Sequence, residues 1–177
     1  MAQFGRPISD ISAASTGTFA NLDEVTASDA DFVTTDDNVA VTAEYLLGSV
    51  SDPVASTGHI VRVRHAKADT NVPPSTTGNA QTATFTLIQG TTVIATLGSG
   101  VTLGAWTTLS YTLTAGEANS ITNYADLRVR AVFPAGGGGN PGIRRGGAMS
   151  WIELETPDAP ATNYQTTYSK GSFTQTG

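Results

Sequence analysis

The chain has 177 residues, a formal net charge of −6, only 14% charged residues and no cysteine. That length suits one domain with a sizeable core, and the missing cysteine excludes disulfides and thiolate metal sites. The acidic balance argues against a general nucleic-acid binder, which needs an excess of Lys and Arg to neutralise phosphate.

The charged fraction lies well below the usual value of about a quarter. Thr, Ser, Ala and Gly take its place, which favours strands and turns over helices. A surface poor in Lys and Glu also lacks much of the usual protection against association. No run approaches the roughly 18 consecutive apolar residues of a membrane span. The start, Met1-Ala-Gln-Phe-Gly-Arg-Pro7, has no apolar core of the signal-peptide kind. These features lead to the expectation of a protein made in a bacterial cytoplasm, with no membrane and no nucleic acid among its partners.

Residues 1–19 carry isolated apolar groups at Phe4, Ile8, Ile11 and Phe19 without a sustained period. They are expected to form an extended arm, with Arg6-Pro7-Ile8 pinned against the domain that follows. From residue 20 to 158 the text alternates. Asn21 to Val33 is an acidic loop entering a short apolar strand. Val39–Leu47 places Val39, Val41, Ala43, Tyr45 and Leu47 on one face, and Gly58–Lys67 alternates aliphatic residues with Arg62 and Arg64. Ala80–Gln89 turns Phe85 and Leu87 inward, Gly90 breaks it, and Thr91–Leu97 returns as a hairpin partner. Trp106–Thr114 aligns Leu109, Tyr111 and Leu113. A single helical turn follows, because Thr114 and Glu117 stand at capping-box spacing. Leu127–Phe133 and Ala148–Leu154 complete the set. Several short runs of period two separated by turn residues predict an all-β, antiparallel two-sheet sandwich.

The run Pro134 to Gly147 holds four successive glycines and Arg144-Arg145. It is expected to be a mobile hairpin tip, since unconstrained glycine carries a high ordering entropy. Residues 159–177 form a Ser-, Thr- and Gln-rich tail whose large apolar groups are Tyr164, Tyr168 and Phe173. Such a segment cannot bury enough surface to order itself alone.

Three segments, Asn21–Val33, Ser56–His65 and Trp151–Glu155, together with Leu127-Arg-Val-Arg130, resemble a family of tailed-phage virion proteins. Those are small jelly-roll modules that decorate the head or form part of the tail. The resemblance spans about residues 20–158 and rests on pattern and order. It implies a jelly-roll sandwich and a structural role as a capsid decoration or cement protein on the virion surface. It further implies the major capsid protein as partner and a homo-oligomer, a trimer if it matches local threefold sites.

Candidate chemistry divides by charge. Asp29, Asp31, Asp36 and Asp37 crowd one stretch, and carboxylates in a loop can hold Ca²⁺ with its six to eight oxygens. Their spacing departs from the EF-hand pattern, and the competing reading is Asp residues making local turns. No cofactor is expected. Arg62/Arg64 and Arg128/Arg130 lie two apart, so each pair projects from one sheet face. Cross-strand ion pairs with Glu153 and Glu155 are their simplest use, whereas Arg144 and Arg145 are read as interface residues.

Trp106, Tyr111, Tyr124 and Trp151 offer the alternative of a glycan-stacking platform on a head or tail fibre. Against it, Trp151 is read as core and Trp106 as half exposed. His59 and His65 lack a nucleophile motif nearby, and Glu153 and Glu155 share one face rather than opposing across a cleft, so no enzyme is expected. Capsid or subunit contacts are assigned to Phe4, Arg6, Ile8, Arg144, Arg145, Tyr164, Tyr168 and Phe173.

Overall fold

The computed structural model describes residues 1–76, 80–135 and 146–160. Ten strands follow in chain order: β1 (Gln3–Gly5), β2 (Pro7–Ser12), β3 (Val33–Thr34), β4 (Val41–Leu47), β5 (Ile60–Ala68), β6 (Gln81–Gln89), β7 (Thr92–Leu103), β8 (Thr107–Thr112), β9 (Leu127–Phe133) and β10 (Gly146–Thr156). One α-helix, α1 (Ala115–Asn119), lies between β8 and β9. All strand pairs are antiparallel.

The first sheet runs β1-β10-β5-β8, with β3 on the same edge of β10 as β1; the second runs β2-β4-β9-β6-β7. From β3 onward the strands have jelly-roll connectivity: the first lies beside the last in one sheet, and the chain crosses between sheets at each longer connection. The protein is an all-β two-sheet sandwich, as the alternation predicts.

Parity builds the core. Ala43, Tyr45 and Leu47 of β4, Val61 and Val63 of β5, Phe85 and Leu87 of β6, Val129 and Ala131 of β9 and Ile152 and Leu154 of β10 are all buried between the sheets. Phe85 meets Phe133 edge-on, with ring centroids 6.3 Å apart. Full burial of an aromatic of this kind contributes about 2–3 kcal/mol. Gly90 takes φ +57° in the two-residue turn that joins β6 to β7, a conformation glycine reaches without steric cost. Thr114 caps α1 through a capping box with Glu117, whose amide donates to the Thr114 hydroxyl.

Three expectations change. Residues 1–19 do not stand apart as an arm: β1 pairs with β10 and β2 with β4, so the segment stitches both sheets together. Its alternation is hidden by register shifts between Pro7 and Ser9 and again between Asp10 and Ser12. Pro134 to Gly147 is not a hairpin connection, because β9 and β10 belong to different sheets. Gly146 and Gly147 open β10, and a Cβ on Gly147 would lie 2.2 Å from the Phe133 ring. Close ring packing is what demands glycine there. Residues 136–145, with Arg144 and Arg145, lie outside the described residues, as do Tyr164, Tyr168 and Phe173 of the tail.

The third change concerns Trp151. A register shift follows Met149, and Ile152 and Leu154 then face inward. Trp151, Glu153 and Glu155 therefore share the outer face, and Trp151 is only half buried.

Candidate functional site

The outer face of the first sheet is where aromatic and charged side chains converge. Glu153 sits at its centre, 6% exposed, and bridges two arginines: Arg6 Nη2 donates at 2.5 Å and Arg62 Nη1 at 3.1 Å. Arg62 Nη2 also donates to Glu155 at 2.7 Å. Arg62 stands directly opposite Glu153 in the β5–β10 register, so this part of the cluster is a cross-strand pair, as expected. Arg6 reaches it from the link between β1 and β2, and its guanidinium also lies 5.4 Å from the Phe4 ring centroid.

Beside this cluster lies a groove of about 600 Å³ lined by Phe4, Arg6, Val25, Thr26, Ala27, Trp151 and Glu153. Phe4 is 47% exposed and Val25 78% exposed. The wall formed by residues 25–27 is held in place by backbone. Ile152 N donates to Leu22 O at 3.1 Å, and Trp151 Nε1 donates to Glu24 O at 2.9 Å. The first of these bonds occupies the edge of β10 left open between β1 and β3. The indole N–H is thus fixed, and Trp151 lines the groove.

Further along the same face, Arg64 forms a fork with Asp29, Nε at 2.5 Å and Nη2 at 2.7 Å. Arg64 also lies 5.9 Å from the Trp106 ring centroid, and Trp106 in turn is 6.3 Å from Phe32. Trp106 is half buried, covering Ala66, Ala68 and Ala148. The Arg64 guanidinium holds the Asp29 carboxyl below its ordinary range.

The other acidic candidates find separate partners. Asp31 accepts from Asn21 Nδ2, the Asp36 amide donates to Ser15 Oγ at 2.8 Å, and Asp37 accepts from Thr70 N at 3.0 Å. Among the described residues no three His, Asp or Glu groups gather in a way that could hold a metal ion. Glu24 keeps one buried oxygen without a hydrogen-bond partner. Burial raises its pKa, and the charges of Asp31 and Asp23 add to the shift.

The second sheet offers a contrasting face. Glu44, 9% exposed at its side chain, bridges Arg128 and Arg130 at 2.9 Å each, and Arg128 also holds Asp126 at 2.8 Å. Beside them stand Thr86, opposite Arg130, and Thr84, opposite the exposed Val132. Ile8, 53% exposed on β2, belongs to this sheet and is not part of the groove.

Both histidines are internal. His59 Nε2 shares a hydrogen bond of 2.8 Å with the Tyr124 hydroxyl, and His65 stacks on Phe85 with centroids 5.3 Å apart. Burial lowers the pKa of each, and the charge of Arg64 lowers that of His65 further.

Of the residues singled out from sequence, Phe4 and Arg6 meet in the groove. Val25, Glu153 and Trp151 complete it without having been assigned there. Trp151 could have been placed by parity alone: it stands two and four residues before Glu153 and Glu155, which read as outward. Val25 carried no such signal, since an isolated valine in an acidic loop has no period. No protein-family model and no curated protein matches the chain.

Proposed function

We propose that the protein is a structural component of a phage virion, a decoration or cement protein that binds the outer surface of the capsid and stabilises it. The observation that carries this reading is the outer face of the first sheet, where charges neutralise one another and apolar side chains stay open. Arg6, Arg62 and Arg64 each have a carboxylate partner on that face, while Phe4 and Val25 remain exposed around Trp151. An aromatic patch with arginine and few unpaired charges has the composition of a protein–protein contact centre. The low charge of the whole chain and the phage-module resemblance of residues 20–158 point the same way.

On this reading the partner is the major capsid protein, the protein resides on the virion, and it is assembled in the host bacterial cytoplasm. Several weak contacts repeated on a lattice give tight attachment through effective concentration. A homo-oligomer, a trimer at local threefold sites, would supply that repetition. The test is to mix the protein with empty capsids built from the major capsid protein of the same genome and to image them by cryo-electron microscopy. Density at defined lattice positions is the expected result; absent or random occupancy overturns the reading.

A second reading has one observation in its favour. Phe4 and Trp151 flank the Arg6–Glu153 pair, and an aromatic face beside planar polar groups also suits a sugar ring. A glycan array with the full chain decides between them: a saccharide that binds and is lost in Trp151→Ala favours a receptor-binding module of a head or tail fibre.

A further inference from the structure

The groove has a fixed shape, a neutralised floor and an opening toward solvent, and the chain itself carries a segment whose chemistry fits it. Residues 161–177 contain Tyr164, Tyr168 and Phe173, a single charged residue, Lys170, and no carboxylate side chain. Ring stacking on Trp151 and Phe4 with little charge to desolvate is what such a segment would bring.

The exit of the chain says whose groove it reaches. β10 passes the groove at Trp151 and Glu153 and then runs on to Thr156, which pairs with Gln3 beyond Phe4. There the backbone is fastened. Gln3 Nε2 donates to Pro157 O at 2.9 Å, and Pro157 packs against Gly58, where an added Cβ would lie 3.0 Å from the proline ring. Pro160 follows, and Ala159 before it is confined to extended backbone by the proline ring. The chain thus reaches Pro160 already past the groove of its own copy. Seventeen residues beyond that point span at most about 56–60 Å when extended, ample to cross to an adjacent copy.

We propose that the Phe4–Val25–Trp151 groove receives residues 161–177 of a neighbouring copy of this chain. The inference rests on the assembly reading above and names the contact that makes the oligomer. Each copy offers one groove and one tail, so the contact is head-to-tail and closes into a ring when the rotation between copies permits. It also joins the two groups of residues singled out in the sequence: Phe4 and Arg6 form the receiving side, and Tyr164, Tyr168 and Phe173 the inserted side.

The test uses the full chain and no capsid, so its failure and the failure of capsid binding are separate results. Sedimentation and light scattering should give a discrete species at a whole multiple of 18.2 kDa. Val25→Glu, on an exposed groove wall, and the triple variant Tyr164→Ser/Tyr168→Ser/Phe173→Ser should each fall to the single-chain mass with an unchanged circular dichroism spectrum. Mixed one to one, the two variants retain one working groove and one working tail between them, and should form a species of two chains but no larger ring.

Because the chain has no cysteine, Thr26→Cys on one copy and Ser169→Cys on a differently tagged copy give an independent trap, expected to form an inter-copy disulfide. A single-chain wild type, an oligomer that survives both variants, or a Thr26→Cys/Ser169→Cys double variant that closes within one chain at high dilution would each overturn the proposal.

Discussion

The two sheets carry the same device on their outer faces and use it differently. Each has one nearly buried glutamate shared by two arginines: Glu44 between Arg128 and Arg130, Glu153 between Arg6 and Arg62. On the second sheet both arginines belong to β9, so the cluster ties neighbouring strands within a regular ladder. On the first sheet one arginine comes from the segment linking β1 to β2, so the cluster fastens the N-terminal residues across the face and raises one wall of a groove. Paired arginines are therefore no guide to function by themselves. What separates the faces is the groove that Phe4, Val25 and Trp151 form beside the first cluster, since the second sheet also exposes apolar side chains, Ile8 and Val132 among them.

The largest expected effect tests whether these clusters are equivalent. Glu44→Ala leaves two arginines without their shared carboxylate, and should cost about 3 kcal/mol in urea unfolding, toward the low end for a broken buried pair because both guanidiniums are partly exposed. Glu153→Ala should cost a similar amount, since in each cluster one arginine keeps a second carboxylate, Arg62 with Glu155 and Arg128 with Asp126. Its signature is local: amide exchange at residues 3–5 should accelerate well before global unfolding. No opening at β1 in Glu153→Ala would erase the distinction between the faces.

A smaller effect comes from pH. His65 is neutral in the fold because burial, and then Arg64, lower its pKa, and burial does the same to His59. The unfolded chain takes up protons near pH 6.5 while the fold resists them, so stability is full above that pH and declines as pH drops below it. The melting temperature should fall between pH 7 and pH 5, and His65→Phe, which keeps a ring against Phe85, should reduce that slope.

The smallest effect has the opposite sign. The pKa of Glu24 is raised, so its ionised form is less favourable in the fold than in the unfolded chain. That penalty is present at neutral pH and disappears as pH falls into the unfolded carboxylate range near 4.3. Glu24→Gln should therefore raise the melting temperature slightly at pH 7, with the gain vanishing near pH 4. A loss at pH 7 would show that the carboxylate is better accommodated than its surroundings indicate.

Much of the sandwich was legible because parity is local: Phe85 and Leu87, or Ala43, Tyr45 and Leu47, show their face through neighbours two residues away. The capping box at Thr114 and Glu117 was legible for the same reason. The N-terminal strands were not, because irregular register breaks their alternation. The groove was half legible. Phe4 and Arg6 stood out by type, whereas Trp151 was read as core although its parity with Glu153 and Glu155 points outward, and Val25 enters only because the acidic loop fills an open strand edge. Glu44 could not be matched to Arg128 and Arg130 from sequence, since 84 and 86 residues separate them.

The central claim is that the first sheet's outer face is the working surface of this protein. Hydroxyl-radical footprinting of the free and capsid-bound protein tests it most directly. The account predicts that Trp106, beside Arg64 on that face, becomes protected on capsid binding, that Phe4, Val25 and Trp151 are covered by the neighbouring copy's tail before binding and stay covered after it, and that Thr84 and Thr86 on the opposite face keep their reactivity. Protection confined to the threonine face, with Trp106 unchanged, would contradict it.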